Sequence, residues 1–223
     1  MIDRPSPNFG ERLLPVSMVV LHYTGMPTAA DALDRLTDAA SGVSAHYVVA
    51  EDGVVVRLVD EGKRAWHAGK SFWRGVTDVN SASVGIEIVN PGHEFGYRPF
   101  PEPQMAAVED LVRGIVGRFG VGPRDVVGHS DIAPARKDDP GELFDWLRLA
   151  GAGLADRVPV AAADPNWTDA GFMAALGRYG YDVTDAAAAV VAFQRHFRPR
   201  DIGGVVDAES RGILFGLLRP DLA

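Results

Sequence analysis

Three side chains that can ligate a metal follow strand-like segments of this sequence. His22 lies near the end of the strand-like segment VSMVVLHY, and His129 directly follows a short predicted strand at 125–128. Asp139 comes soon afterwards, inside RKDDPG. Strand ends project side chains into a shared crevice, so residues far apart in sequence can meet there. Two imidazoles and one carboxylate form a three-ligand zinc set that leaves the fourth tetrahedral position to water, as hydrolytic sites require.

Spacing alone leaves ordinary alternatives for these residues. Histidines at strand ends often form hydrogen bonds with backbone groups, and an Asp-Asp-Pro segment often forms a simple turn. Asp138 also competes with Asp139 as the carboxylate ligand. Because the chain has no cysteine, disulfides, thiolate catalysis and cysteine-bound zinc are excluded, and any metal site must use histidines and carboxylates.

Glu87 and Lys137 could supply acid–base and electrostatic chemistry beside such an ion. In SVGIEIVN (83–90), Val84, Ile86 and Ile88 share one strand face, and Glu87 lies on the other. If Glu87 lines a pocket, burial raises its pKa toward the range in which it takes a proton from water and passes it to a leaving amine. If its face is open to water, the strand is an ordinary surface strand. Lys137 projects to the same side as Asp139 and could stabilise an oxyanion, or it is a solvated lysine.

Strands and helices alternate over residues 1–155, which predicts an α/β domain. Strand patterns occur at 16–23, 45–50, 54–59, 83–90 and 125–128, and the Asp52-Gly53 pair predicts a hairpin. A helix is expected from about Thr28, and another over 103–119 that ends at Gly120.

The C-terminal part of the chain reads as a separate helical unit. A linker is expected at 156–166, which contains two prolines and few large apolar residues. Residues 167–223 then predict three short helices at 168–179, 186–197 and 208–218, with Thr168 and Asp207 as N-caps. So small a unit is marginally stable alone, and we expect it to depend on its neighbour or on a ligand.

Composition and charge exclude several classes of protein. With 223 residues and 47% hydrophobic residues, the chain can build a real core, which excludes disorder as its main state. The net charge is −8, so the chain lacks the excess of basic side chains that binding to nucleic acid requires. Asp3, Pro5 and Pro7 do not suit a secretory signal, and the run at 16–21 is too short for a membrane span. We therefore expect a cytoplasmic protein.

Five segments, in order, resemble the zinc-dependent N-acetylmuramoyl-L-alanine amidases, a family that shares its fold with phage-type lysozyme amidases and peptidoglycan recognition proteins. The segments are LHYTG (21–25), SAHYVV (44–49), AWHAGKSFWRG (65–75), SVGIEIVN (83–90) and GHSDIAPARKDDPG (128–141). The resemblance covers about 16–155 and implies a mixed central β-sheet flanked by helices. The tail at 172–218 is similar to the three-helix peptidoglycan-binding domain found beside such amidases.

The resemblance also implies roles for individual residues. His22, His129 and Asp139 correspond to the zinc ligands, because the family motif places the carboxylate ligand immediately before the proline. Glu87 corresponds to the catalytic acid/base and Lys137 to the electrophilic stabiliser. Five aromatic and histidine side chains of the motifs are expected to line the substrate cleft: Tyr23, His46, Trp66, His67 and Trp73. For Trp66 and His46, packing in the core is the alternative. His93 and His196 lie outside the motifs and are expected to be surface or structural residues.

The implied reaction is hydrolysis of the amide between N-acetylmuramic acid, including 1,6-anhydro forms, and the L-alanine of the stem peptide. Without a visible signal peptide, the expected partners are soluble muropeptides or peptidoglycan fragments, and the expected role is cell-wall recycling. A peptidoglycan-binding tail favours the alternative of an envelope or phage lysin acting on intact peptidoglycan. A further alternative is a non-catalytic muropeptide-binding protein, although such relatives typically lack a metal ligand. The sequence pattern does not specify an oligomeric state.

Overall fold

The structure is a computed structural model that describes residues 1–159 and 163–219; the centre of the predicted linker, 160–162, and the last residues, 220–223, lie outside the described residues. The strands are β1 (Ile2–Asp3), β2 (Phe9–Glu11), β3 (Met18–Tyr23), β4 (Tyr47–Val49), β5 (Val55–Arg57), β6 (Lys63–Ala65), β7 (Ser83–Ile88) and β8 (Val126–Gly128). The helices are α1 (Ala29–Thr37), α2 (Val79–Ala82), α3 (Gly92–Phe95), α4 (Glu102–Phe119), α5 (His129–Ile132), α6 (Trp146–Gly151), α7 (Asp169–Tyr179), α8 (Ala186–Phe197) and α9 (Ala208–Leu217).

Six strands form one mixed sheet in the order β1-β5-β4-β7-β3-β8. The four strands β4, β7, β3 and β8 run parallel to one another, whereas β5 pairs antiparallel with β4 across the predicted hairpin. Strands β2 and β6 form a separate antiparallel ribbon. This architecture confirms the predicted α/β fold with a mixed central sheet.

Helices cover both faces of the sheet. Val19 and Leu21 of β3 pack with the apolar stripe of α4, while Met18 and Val20 contact the opposite layer. Strands buried on both faces are almost continuously apolar, as β3 is. Gly120 ends α4 at a φ of 67°, in the left-handed region where glycine is favoured, so the helix ends at the predicted residue.

The three C-terminal helices form close to their predicted bounds, and side chains of Thr168, Asp185 and Asp207 cap their N-termini. Their apolar side chains do not form a core of their own. They share one hydrophobic core with β3, β8 and α5, which includes Val20, Val127 and Ile132 from the sheet region and Phe172, Leu176 and Phe193 from the helices. The division at 1–155, 156–166 and 167–223 stays a prediction, and the two units are joined by a common core.

Several short elements were not predicted. Strands β1, β2 and β6 and helices α2, α3, α5 and α6 span two to six residues each. Segments this short contain too few repeats for hydrophobic periodicity to reveal them. Helix α5 is the important omission, because its first residue is His129.

Candidate metal centre and active site

The carboxyl ends of adjacent parallel strands bring the metal-ligating side chains together. In the β3–β7 register, His22 is paired with Glu87. Strand β8 ends beside β3, so that His129 follows at the same edge as the first residue of α5. Asp139 returns to this edge, where its carbonyl accepts a hydrogen bond from the Ser130 N–H at 2.8 Å. The sheet topology thus unites residues that are distant in sequence.

The ligand atoms of His22, His129 and Asp139 converge on one point. The two Nδ1 atoms lie 2.9 Å apart, and Asp139 Oδ2 lies 2.9 Å from His22 Nδ1 and 3.1 Å from His129 Nδ1. All three side chains are buried. Nitrogen and oxygen ligands of a tetrahedral zinc ion lie about 3.3 Å from one another. The donor set therefore fits an ion of this kind with little movement.

Hydrogen bonds behind the two imidazoles determine which ring nitrogen faces the site. His129 Nε2 lies 3.1 Å from the Ala68 carbonyl oxygen, so Nε2 carries the proton and Nδ1 offers its lone pair. His22 Nε2 lies 3.0 Å from His67 Nδ1, and His67 Nε2 lies 3.3 Å from Ser83 Oγ. The Ser83 hydroxyl donates to a backbone carbonyl of α2 at 2.6 Å, so it accepts from His67. His67 in turn accepts from His22, which frees His22 Nδ1 for a metal.

Burial and charge favour the protonation states that bind metal. Burial, reinforced by the charge of His129, lowers the pKa of His22 to about 4. Burial alone would raise the pKa of Asp139, but the charge and hydrogen bonds of the two imidazoles outweigh it and hold that pKa well below its usual range. At neutral pH the cluster therefore presents an unprotonated His22 nitrogen and a carboxylate, the forms that ligate zinc.

The two neighbouring aspartates have different partners. Asp139 joins the imidazoles, whereas the Asp138 side chain is 58% exposed and pairs with Arg195 of α8 at 2.9 Å. The geometry therefore favours Asp139 over Asp138 as the ligand.

Glu87 enters the same site from β7. Its neighbours Ile86 and Ile88 pack on the opposite face, in the core beneath α4. Glu87 Oε2 is buried and has no hydrogen-bond partner among the described residues. Burial, and then the charge of Asp139, raise the pKa of Glu87 well above its usual value, although Lys137 opposes the shift. A carboxylate whose pKa is raised is a stronger base than an exposed one, so it accepts a proton from water more readily.

A cavity of about 380 Å³ contains these groups. Tyr23, Trp66 and His67, which were expected to contact substrate, line it together with Lys137. Tyr23 and Trp66 are half-buried, so their rings are available at the cavity wall. His67 has both ring nitrogens engaged by protein groups, so its place in the structure is that of a support for His22.

His46 and Trp73 lie in the core and do not line this cavity, which agrees with the core-packing alternative for His46 and differs from the expectation that Trp73 lines a substrate cleft. His46 Nδ1 accepts from the Gly85 N–H at 2.9 Å, and its Nε2 lies 3.1 Å from the Lys63 carbonyl oxygen. Trp73 is 1% exposed, and its indole N–H donates to Asp125 at 3.1 Å. Each side chain has its polar groups satisfied inside the protein, so these two motif residues stabilise the fold.

His93 and Arg136 are among the cavity residues that sequence reasoning missed. His93 is exposed and lines the cavity, where Nδ1 lies 3.1 Å from the Tyr23 hydroxyl and Nε2 lies 3.1 Å from Glu142 Oε1. Arg136 also lines the cavity, and its guanidinium donates to two backbone carbonyls at 2.8 Å. The available signal was proximity to the motifs, because His93 shortly follows SVGIEIVN and Arg136 lies inside GHSDIAPARKDDPG.

Comparisons with known proteins agree with this geometry. The family model described as N-acetylmuramoyl-L-alanine amidase matches residues 12–142. The N-acetylmuramoyl-L-alanine amidase AmiD of Escherichia coli (strain K12) is 38% identical over 234 aligned residues, which cover 91% of this chain and 82% of AmiD.

Solved structures extend the likeness to the C-terminal helices. E. coli AmiD in complex with the substrate anhydro-N-acetylmuramic acid-L-Ala-D-gamma-Glu-L-Lys has a TM-score of 0.83 at 33% identity, and the match covers 96% of this chain and 98% of AmiD. AmpDh3 from Pseudomonas aeruginosa has a TM-score of 0.84 at 34% identity, covering 99% of this chain and 96% of AmpDh3. With the family model matching more than half of its length, this chain belongs to the N-acetylmuramoyl-L-alanine amidase family.

Proposed function

We propose that this protein is a zinc-dependent amidase that hydrolyses the bond between N-acetylmuramic acid, including its 1,6-anhydro form, and the L-alanine of the stem peptide. The observation that supports it most is the convergence of His22, His129 and Asp139 in the cavity that also receives Glu87. Family membership indicates the bond that is cleaved. The anhydro-N-acetylmuramic acid peptide bound by E. coli AmiD supports the anhydro form as a substrate.

His22 Nδ1, His129 Nδ1 and Asp139 Oδ2 are the atoms that would hold the ion. A bound zinc ion supplies Lewis acidity and brings the pKa of a water molecule toward neutrality. The two imidazoles donate hydrogen bonds from Nε2 to the Ala68 carbonyl and to His67, and these bonds orient the rings in advance, which reduces the reorganisation that metal binding requires.

Glu87 and Lys137 perform the remaining steps in this proposal. Glu87 accepts a proton from the attacking water and returns it to the departing alanine nitrogen, a role that suits its raised pKa. The Lys137 ammonium lines the same cavity and stabilises the negative charge that develops on the scissile carbonyl oxygen. Tyr23 and Trp66 provide aromatic faces on which the C–H edges of a sugar ring can stack.

The proposed biological role is cell-wall recycling, with soluble muropeptides as substrates. The cavity volume of about 380 Å³ lies within the usual range for sites that bind small molecules. Among the described residues, no helix combines the length and apolar character needed to cross a bilayer. The cellular compartment stays a prediction.

Mass spectrometry of the products tests the proposal. The zinc-loaded protein, given an anhydro-muropeptide, should release anhydro-N-acetylmuramic acid and a stem peptide that begins with L-alanine. The Glu87→Gln variant is the matched control, because it should bind zinc but release product far more slowly than the wild-type protein. Binding of the muropeptide without product would indicate non-catalytic recognition and overturn the proposal. Faster hydrolysis of intact sacculi than of muropeptide would replace the recycling role with that of a lysin.

A further inference from the structure

We propose that the C-terminal helical unit, of which residues 167–219 are described, holds two metal-binding segments in position through Tyr181, Arg195 and His196. The first segment is the ligand helix, α5, which begins with His129. The second is the ligand loop, residues 137–142, which contains Asp139. The three residues of the helical unit are positioning residues, because they act through Asp131, Asp138 and Glu142 rather than on the ligand atoms. The inference rests on the proposed metal site.

Asp131 connects the ligand helix to the helical unit. It lies two residues after His129, is fully buried, and accepts three hydrogen bonds. The donors are the Gly128 N–H at 2.7 Å, the Tyr181 hydroxyl at 2.6 Å and His196 Nδ1 at 2.7 Å. Two of these donors belong to the helical unit. Because an unpaired buried carboxylate costs free energy, the side chain that caps the start of the ligand helix depends on both of them.

The His196 ring is held in place for this contact. It stacks between Trp146, the first residue of α6, and Phe197, with ring centroids 3.7 Å and 4.0 Å away. Its Nε2 has no hydrogen-bond partner among the described residues, so Asp131 is the polar contact that the ring makes.

Arg195, the neighbouring residue on α8, holds the ligand loop. Its side chain is 9% exposed, with Nη2 2.9 Å from Asp138 Oδ1 and Nε 3.4 Å from Glu142 Oε2. These two carboxylates lie on either side of Asp139 in the sequence. A nearly buried guanidinium that pairs with both restricts the path of the loop between them.

The two contacts act on two of the three ligands. His22 lies within β3 and is held by strand pairing with β7. His129 and Asp139 lie outside the sheet, in the segments that Arg195 and His196 contact. The helical unit therefore sets the position of these two ligands relative to His22. The shared hydrophobic core keeps the unit docked against the sheet.

A pair of tyrosines in the same unit provides a matched test. Tyr181 and Tyr179 are both buried, their rings are stacked, and each hydroxyl donates to an aspartate, Asp131 for Tyr181 and Asp156 for Tyr179 at 2.8 Å. Tyr181→Phe and Tyr179→Phe thus remove the same group from the same interface. Hydrogen–deuterium exchange of the metal-free protein should rise at 128–133 in Tyr181→Phe and stay unchanged there in Tyr179→Phe. Zinc affinity, measured by competition with a chelator, should fall about tenfold in Tyr181→Phe alone.

Arg195→Gln and Asp138→Asn test the ligand loop in the same way. Each should raise exchange at 137–142 and leave 128–133 as in the wild type, and the double variant should add little to Arg195→Gln, which already removes the contact with Asp138. Asp138 is exposed, so this variant reports on the contact even if a buried substitution prevents folding. Equal exchange and equal zinc affinity in the two tyrosine variants, or additive effects of Arg195→Gln and Asp138→Asn, would show that the unit only stabilises the fold, and would overturn the proposal. Because exchange is measured without metal or substrate, it remains informative if the amidase proposal fails.

Discussion

Two buried clusters of histidine and aspartate adjoin α5, and their hydrogen-bonding patterns are opposite. The metal cluster comprises His22, His129 and Asp139, and the brace cluster comprises Asp131, Tyr181 and His196. In the brace cluster, donors face the carboxylate, so each contact is a complete hydrogen bond. In the metal cluster, two Nδ1 lone pairs and a carboxylate oxygen face one another at 2.9 to 3.1 Å.

The difference shows that residue types do not decide whether such a cluster binds metal. The decisive contacts lie behind the rings, where the Ala68 carbonyl and His67 accept hydrogen bonds from the Nε2–H groups of the metal cluster. In the metal cluster, lone pairs face one another with no proton between them, so a bound cation would satisfy them. In the brace cluster, each carboxylate oxygen already faces a hydrogen-bond donor, so no cation is needed. Variants of each cluster should therefore fail in different ways.

The largest expected effect is that of removing a metal ligand. His22→Ala should lose bound zinc and hydrolyse muropeptide at the background rate, a loss beyond the factor of about 10² to 10⁴ expected for one acid–base group. His196→Ala should instead lower the melting temperature and retain zinc at saturating concentrations. Zinc content, turnover and thermal unfolding of both variants check the contrast. Stoichiometric zinc in His22→Ala would contradict the assignment.

Glu87→Gln should reduce turnover by a factor of about 10² to 10⁴, because the amide cannot accept the proton of water. Zinc affinity should stay near that of the wild type, since Glu87 is not among the ligands. Steady-state kinetics and zinc titration measure the two quantities. Wild-type turnover in this variant would exclude Glu87 as the acid/base.

Lys137→Met should lower kcat by a factor of about 10² to 10³, the usual cost of removing one group that stabilises an oxyanion. The methionine keeps much of the side-chain length without the charge. We expect KM and zinc content to change little. A kcat within twofold of the wild-type value would mean that Lys137 is a solvated lysine.

His67→Leu should weaken zinc binding by about 10- to 100-fold, because His22 loses the acceptor that fixes its tautomer. Gly85→Ala should have a similar effect, since a Cβ at this position would lie 2.5 Å from Cγ of the His67 ring. Chelator competition measures both affinities. Unchanged affinity in His67→Leu would show that His22 is oriented by other contacts.

The smallest expected effect concerns His46, another buried histidine with partners on both ring nitrogens. Burial, and then the charge of Arg12, lower the pKa of His46 from 6.5 to about 3. Between these values the unfolded chain binds the proton and the folded protein does not, so stability falls as the pH drops below 6.5. His46 should contribute a loss of about 1.6 kcal/mol between pH 6.5 and 5. Chemical unfolding of the metal-free protein across this range should show a shallower slope in His46→Gln.

The strands and helices that carry the site could be predicted because their signals are local. The alternation in SVGIEIVN predicts a strand with Glu87 opposite an apolar face, and β7 has that arrangement. The C-terminal helices begin after Thr168 and Asp207, as their capping side chains indicate. Helix α5 was missed because its four residues are too few to show a period.

The roles of the remaining histidines and aromatic residues could not be predicted in this way. His46, His67 and Trp73 all occur in motif segments, yet their roles differ. His46 forms hydrogen bonds with backbone groups, His67 supports the ligand His22, and Trp73 packs between the two units. His196 has no motif and still contacts the segment that begins with His129. Each role depends on which donor or acceptor lies opposite the side chain, and that partner comes from a distant part of the chain.

The amino-acid sequence by itself determined the α/β fold, the family and the candidate residues, because periodicity, capping and motif spacing are properties of neighbouring residues. Only the tertiary structure decided which nitrogen of each imidazole faces the metal site, which aspartate joins the imidazoles, and that the C-terminal helices contact both ligand segments. These features depend on hydrogen bonds and packing between residues that the chain brings together only when it folds.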